Sequence, residues 1–230
     1  TVDEDRLYTM TASGDLICLR TANGEKLWQK SYPTDFLAKR RQWGFCDYPL
    51  VDGEKLICSP VGPGVTVVAL NKRTGEIIWK TEVPDDEGAG YAATVVSEAA
   101  GIRQYVAFLQ KGLTGIAAND GRVLWRNSKT AARLAASYTP IVHGDYLFSA
   151  NGYAGGMALF KLVKDGDGIA TEERYFLRFS FTPFQDGTVL VGEHVYGFQS
   201  GSKPVCFDLM TGEPAWGPIR TDPPGRMALT

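Results

Sequence analysis

The sequence predicts an all-β fold, a β-propeller built from four-stranded antiparallel blades. The first observation behind this is a recurring phrase: Asn23-Gly-Glu-Lys-Leu-Trp28, Thr74-Gly-Glu-Ile-Ile-Trp79, Asp120-Gly-Arg-Val-Leu-Trp125 and Thr211-Gly-Glu-Pro-Ala-Trp216. The first three tryptophans are spaced by 51 and 46 residues, and the last gap, 91, is close to two periods. A fixed period of this length in a β-rich chain signals radially repeated sheets, none able to bury its faces alone. The second observation is a tight glycine turn between two short apolar segments ahead of the phrase.

Those hairpins are the first and second strands of a blade. Tyr48-Pro-Leu-Val turns at Asp52-Gly-Glu-Lys into Leu56-Ile-Cys, Thr139-Pro-Ile-Val turns at His143-Gly-Asp into Tyr146-Leu-Phe, and Thr188-Val-Leu-Val turns at Gly192-Glu-His into Val195-Tyr-Gly. Glycine supplies the positive φ that such a turn requires. Third strands follow at Leu16-Ile-Cys-Leu, Thr66-Val-Val-Ala-Leu, Leu113-Thr-Gly-Ile-Ala, Met157-Ala-Leu-Phe and Val205-Cys-Phe, and the fourth strand carries the aromatic residue. Trp28, Trp79, Trp125 and Trp216 read as structural docking residues between blades, with Tyr175 standing where the fourth blade should have tryptophan. An indole N–H at this place can bond backbone on the adjacent sheet.

Five blades are expected, roughly over residues 1–30, 45–81, 91–128, 137–178 and 187–219, with the start of a further blade at 226–230. Pro223-Pro-Gly reads as one more inter-blade loop, so the chain is expected to be a segment cut from a ring of six to eight blades. In the alternative, the last segment completes the first blade and closes a ring of five. In the fourth blade the turn expands to Lys164-Asp-Gly-Asp-Gly168. Asp165, Asp167, Glu172 and Glu173 invite a calcium-loop reading, but Ile169 and Ala170 occupy places where the calcium pattern wants an oxygen ligand and a glycine. A long solvated hairpin fits better.

Composition excludes more than it assigns. The 230 residues are 44% hydrophobic and 22% charged with a formal net charge of -2, ordinary for a globular chain with a large core. Without a basic stripe, nucleic acid is not an expected partner. No apolar run reaches the roughly 20 residues of a membrane-spanning helix. Cys18 and Cys206 fill equivalent small core slots, Cys46 and Cys58 could meet across a hairpin, and no CxxC spacing occurs.

Strand order places the connections between blades and the loops between second and third strands on one face. Long loops on a rigid scaffold usually carry the function. The candidate ligand-facing residues are therefore Arg40, Arg41, Trp43, Asp47, Tyr91, Gln110, Lys111, Asn151, Tyr153 and Gln185. The same set also reads as ordinary surface loops, with Trp43 covering the rim. His143 and His194 fall in hairpin turns on the opposite face, so the loop-rich face lacks an obvious general base or imidazole ligand. No catalytic residue and no metal ligand is assigned.

The repeats resemble the pyrroloquinoline-quinone (PQQ)-like propeller repeat, whose signature is Ala-x-Asp-x-x-Thr-Gly-x-x-x-Trp. It stands here as Ala69-Leu-Asn-Lys-Arg-Thr-Gly-Glu-Ile-Ile-Trp79 and Cys206-Phe-Asp-Leu-Met-Thr-Gly-Glu-Pro-Ala-Trp216. The acidic position is Asp208 in one blade but Arg20, Asn71 and Ala117 in others. Across the whole chain, Gly88-Ala-Gly-Tyr91, Thr139-Pro-Ile-Val-His-Gly-Asp-Tyr and Lys164-Asp-Gly-Asp-Gly with Glu172-Glu are similar to PQQ-binding-like propellers of planctomycete-type bacteria. Their kin include the propeller lipoprotein of the outer-membrane barrel-assembly machinery and the quinoprotein dehydrogenases.

The resemblance implies an exported protein, periplasmic or outer-membrane associated, longer than this chain at both ends, so the parent's remaining blades are expected neighbours. Relatives commonly carry an Asn-His-His-Gly-like stretch where this chain has Phe181-Thr-Pro-Phe-Gln-Asp-Gly187. Two functional readings follow. One is a non-catalytic binding or scaffold module whose loop face holds a protein or polysaccharide segment, with no cofactor. The other is an oxidoreductase of alcohols or sugars that uses PQQ and calcium. The clamp of adjacent cysteines common in that family is absent from this sequence.

Overall fold

The computed structural model describes residues 1–40, 42–46, 48–85, 88, 90–131, 136–152, 155–178, 187–199 and 203–220. Arg41, Asp47, Tyr153, Gln185, the connection at 179–186 and the further strand expected at 226–230 lie outside these residues. Among the described residues, twenty strands form five sheets, each a four-stranded antiparallel meander in chain order. The first is β1 (Val2–Asp3), β2 (Arg6–Met10), β3 (Asp15–Arg20) and β4 (Lys26–Ser31). A single turn of helix, α1 (Tyr32–Asp35), begins the connection to the second sheet of β5 (Leu50–Asp52), β6 (Lys55–Cys58), β7 (Val67–Asn71) and β8 (Ile77–Thr81). The third holds β9 (Val95–Ser97), β10 (Gln104–Leu109), β11 (Gly112–Ala117) and β12 (Val123–Asn127). The fourth holds β13 (Ile141–His143), β14 (Tyr146–Asn151), β15 (Gly156–Asp165) and β16 (Gly168–Leu177), and the fifth β17 (Val189–Val191), β18 (His194–Gln199), β19 (Lys203–Asp208) and β20 (Pro214–Trp216).

The core lies between sheets, in four clusters that join each to the next. Alternation along a strand sends neighbouring residues to opposite clusters. Leu56 and Cys58 face the first sheet, while Ile57 faces the third. Val106 and Phe108 pack toward the fourth sheet, while Tyr105, Ala107 and Leu109 pack toward the second. A sheet covered on both faces has no polar side, which is why β10 and β11 are buried at every position. Gly53, Gly144 and Gly192 close the expected hairpins at φ 58°, 57° and 62°.

One irregularity recurs in all five sheets. The third and fourth strands pair through a β-bulge directly after the pairs Cys18–Trp28, Ala69–Trp79, Gly115–Trp125, Leu159–Tyr175 and Cys206–Trp216. A bulge re-aims the side chain beside it, and here it turns the aromatic ring toward the neighbouring sheet. Trp28 lies over Gly75, Trp79 over Gly121 and Tyr175 over Gly212, each in the next sheet's glycine turn, where a Cβ would come within 3 Å of the ring. The Trp28 indole donates to the Lys72 carbonyl at 3.1 Å, and the Tyr175 hydroxyl donates to the Leu209 carbonyl at 2.9 Å.

Such a bond to the adjacent backbone is not made by Trp79 or Trp125. The carbonyl equivalent to that of Lys72 is the Ala118 carbonyl, which accepts from Lys55 Nζ at 2.7 Å and not from Trp79. The buried Trp79 N–H has no acceptor among the described residues. Trp125 donates to Gln104 Oε1 of its own sheet at 2.6 Å. The fourth sheet's turn sits at the tip of two ten-residue strands, β15 and β16, so no glycine turn lies where Trp125 would dock. β16 runs beside β12 instead, with Asn127 Nδ2 on Thr171 Oγ1 at 2.9 Å. The acidic residues at that tip are exposed, as a solvated hairpin requires.

Where the signature keeps its side-chain oxygen, it caps the turn. Asn71 Oδ1 accepts the N–H groups of Arg73 and Thr74, and Asp208 Oδ1 accepts those of Met210 and Thr211. The Thr211 N–H holds the Asp208 carboxyl below the usual carboxylate range. Arg20 has no such capacity and pairs with Glu25 at 3.0 Å. All four cysteines are free, with Cys46 exposed and Cys58 buried, so the hairpin pairing of these two does not occur.

Charged groups on the hairpin face lock the sheets together. Lys72 Nζ contacts Asp3 at 2.8 Å across the first junction. At the second, Asp52 accepts from Arg103 Nε at 3.2 Å, Arg103 Nη2 at 2.5 Å and the Tyr105 hydroxyl at 2.6 Å. The Arg103 guanidinium holds the Asp52 carboxyl below its ordinary value. A depressed folded-state pKa gives stability that is fully present above the unfolded value near 3.9 and lost as pH falls through the folded value. The stability gap between wild type and Asp52→Asn is therefore expected to be constant from pH 5 to 7 and to shrink below about pH 4. Urea midpoints measured across that range test it, and a gap that persists unchanged at low pH would refute the assignment.

Candidate ligand-binding cleft

The connections after β4 and β8 do not loop into solvent; each runs over the turn between the second and third strands of the next sheet. A Cβ on Gly62 would lie 1.9 Å from the Phe36 carbonyl oxygen, and one on Gly90 would lie 1.6 Å from that of Phe108. Gln110 N–H donates to the Gly88 carbonyl at 2.9 Å, and Tyr91 N–H to the Ala136 carbonyl at 2.6 Å. Glycine stands at these crossings because no side chain fits between two backbones in contact.

Where two such crossings meet, they leave a cleft of about 640 Å³. Leu37, Lys39 and Arg40 come from the connection after β4, and Glu82, Val83 and Asp85 from the connection after β8. Val61, Gly62, Pro63, Gly64 and Thr66 supply the loop between β6 and β7, and Gln110 comes from the β10–β11 turn. Its size falls within the roughly 300–1,000 Å³ typical of small-ligand sites.

The walls are held in costly backbone conformations. Among the described residues five non-glycine positions have positive φ, and three line this cleft: Leu37 at 54°, Val61 at 50° and Asp85 at 59°. Each costs on the order of 1–3 kcal/mol and persists only where its surroundings enforce it. The enforcement is visible. Phe36 and Ala38 N–H groups, flanking Leu37, both donate to the Tyr32 carbonyl at 3.2 and 3.1 Å. Gly62 and Val65 exchange hydrogen bonds at 2.8 and 3.0 Å beside Val61. Val83 N–H donates to the buried Thr66 Oγ1 at 2.9 Å, and Arg126 grips the Pro84 carbonyl at 2.8 Å next to Asp85.

Among the described residues, none of Lys39, Arg40, Glu82 and Asp85 makes a hydrogen bond through its side chain or an ion pair. Arg20, Arg73, Arg103 and Lys129 elsewhere all have carboxylate partners. Two cations and two anions thus border one cavity without neutralising one another.

Of the residues that the sequence singles out, Arg40 and Gln110 line the cleft. Trp43 and Tyr91 meet edge to face at 5.6 Å, tying the two connections together, with Trp43 half exposed. Trp43 is held out by its neighbours: Gly44 lies against the Ala12 carbonyl at φ 77°, and Phe45 turns in against Tyr32 at 5.5 Å. Lys111 is exposed at the β10–β11 turn. Asn151 is fully buried, with Gly155 packed against its Cβ, so it does not present its amide on the open face. The sequence named the loops that hold Leu37, Val61 and Asp85 but not those positions, since residue type gave no sign of their left-handed backbone.

Among the described residues no three His, Cys, Asp or Glu side chains gather as a metal site, and no helix is long and apolar enough to cross a membrane. No match to a curated protein is found. Among solved structures the chain is similar to BamB from Moraxella catarrhalis, at 20% identity and a TM-score of 0.62, over 92% of this chain. It spans 57% of that structure's length. It is also similar to the computationally designed Ika8 protein, at 10% identity and a TM-score of 0.50, over 96% of this chain and 73% of that one. At such identities the likeness concerns the fold. The family model PQQ_2, described as outer membrane protein assembly factor BamB, matches residues 1–217, and the chain belongs to that family of PQQ-like repeat propellers.

Proposed function

We propose that this chain is a non-catalytic binding module, a propeller scaffold of an exported bacterial protein that holds a protein segment on its loop face in the periplasm or at the outer membrane. The observation that carries this reading is the cleft itself, a cavity whose walls are pinned in strained conformations and whose four charged side chains lack partners among the described residues. Preorganised walls lower the ordering cost of binding, and backbone strain of this kind gathers at ligand sites. The family's description, an outer membrane protein assembly factor, agrees with a partner-binding role.

The rival reading, a PQQ- and calcium-dependent oxidoreductase, draws on the repeat's resemblance. The described cleft gives it little support, since Lys39 and Arg40 on its lining oppose a bound cation. Hard cations take six to eight oxygen ligands, whereas Glu82 and Asp85 are the two carboxylates lining this one. No catalytic step is derived through that cofactor. Titration of PQQ into the chain, with and without calcium, is expected to leave tryptophan fluorescence without a saturable change. Saturable, calcium-dependent quenching at one equivalent would overturn the scaffold reading.

A further inference from the structure

We propose that the cleft between the second and third sheets selects a dipolar peptide segment, one that carries an acidic and a basic side chain on the same face. The proposal rests on the loop-face binding reading and adds to it the chemistry of the occupant. Lys39 and Arg40 receive the carboxylate, and Glu82 and Asp85 receive the cationic group. All four line one cavity, and none of them is neutralised among the described residues.

Charge complementarity decides the occupant. A purely anionic ligand would satisfy one pair and meet repulsion from the other, and a purely cationic ligand would do the reverse; like-charge juxtaposition across an interface is strongly unfavourable. An extended peptide solves this with the fewest residues. Its side chains at positions i and i+2 point the same way, about 7 Å apart. Leu37, 66% exposed at the lip although its left-handed backbone is strained, offers an apolar surface for the methylene stems of those two side chains. Val61 and Val83 extend that surface into the cleft.

The test is calorimetric titration of the full chain with capped pentapeptides. Acetyl-Ala-Glu-Leu-Lys-Ala-amide and its reversed order, acetyl-Ala-Lys-Leu-Glu-Ala-amide, are compared with the neutral acetyl-Ala-Gln-Leu-Gln-Ala-amide. At least one dipolar order is expected to bind tenfold or more tightly than the neutral peptide, with an advantage that falls as salt rises. In the double variant Lys39→Glu, Arg40→Glu the preference should pass to acetyl-Ala-Lys-Leu-Lys-Ala-amide, a gain that loss of structure cannot produce. Among the described residues the four side chains make no hydrogen bond or ion pair, and an unchanged circular dichroism spectrum is the control that the variant keeps its fold. If the neutral peptide binds as tightly as the dipolar ones, the dipolar proposal falls and the loop-face reading stands. If no peptide binds, both fall.

Discussion

Gly115→Val is expected to be among the most damaging single changes in this chain, lowering stability by about 3 kcal/mol or more. Gly115 pairs with Trp125 across β11 and β12, where other sheets carry cysteine, alanine or leucine opposite the aromatic residue. A Cβ there would lie 2.0 Å from Trp125 Nε1 and 2.7 Å from Gln104 Oε1. Neither neighbour can yield. The indole is buried and its N–H is bonded to that same Gln104, itself fully buried. The new side chain therefore expels the ring, adds overpacking strain and leaves buried polar groups unpaired. Urea denaturation followed by tryptophan emission measures the loss. Gly24→Ala is the control: Gly24 has nothing within 4 Å of its added Cβ, so its cost comes from its positive φ alone, about 1 kcal/mol. Equal losses at the two sites would refute the account of Gly115.

Trp79→Ala should cost about 3–5 kcal/mol, whereas Trp216→Ala should cost about 1 kcal/mol or less. The two occupy the same place in the repeat phrase. Trp79 is 8% exposed in the cluster between the second and third sheets, over Gly121. Trp216 is 42% exposed and meets Tyr196 of its own sheet at 6.1 Å. Removing the first opens a cavity between two sheets; removing the second uncovers little that is not already wet. Urea midpoints of the two variants compare them directly, and indistinguishable midpoints would show that repeat position rather than burial sets the energy.

That contrast marks how far the sequence could be read. The recurring tryptophan and the glycine turns sufficed for the sheets, because both lie in one short stretch of chain: the tryptophan follows the turn glycine by four residues, and the tight turn needs positive φ. Trp125 escaped the rule for a non-local reason. Its partner turn was displaced by the length of β15 and β16, and Gly115 opened a place within its own sheet. The carbonyl in the equivalent place for Trp79, that of Ala118, accepts instead from Lys55, a residue 24 positions earlier in the chain. Asn151 looked like an exposed loop amide and is fully buried because its neighbouring turn folds onto it.

The cleft shows the same division. Arg40 and Gln110 were visible as polar residues on long loops, and the sequence by itself determined the repeat, the blade unit, the core slots of Cys18 and Cys206, and the face on which those loops emerge. Only the tertiary structure decided that Lys39 and Arg40 share a cavity with Glu82 and Asp85, more than 40 residues apart. Periodicity is written in neighbouring residues, since strand alternation and turn geometry act over a few bonds. Which charges meet depends on how one sheet's connection crosses the next, and that is fixed by packing between residues the sequence keeps far apart.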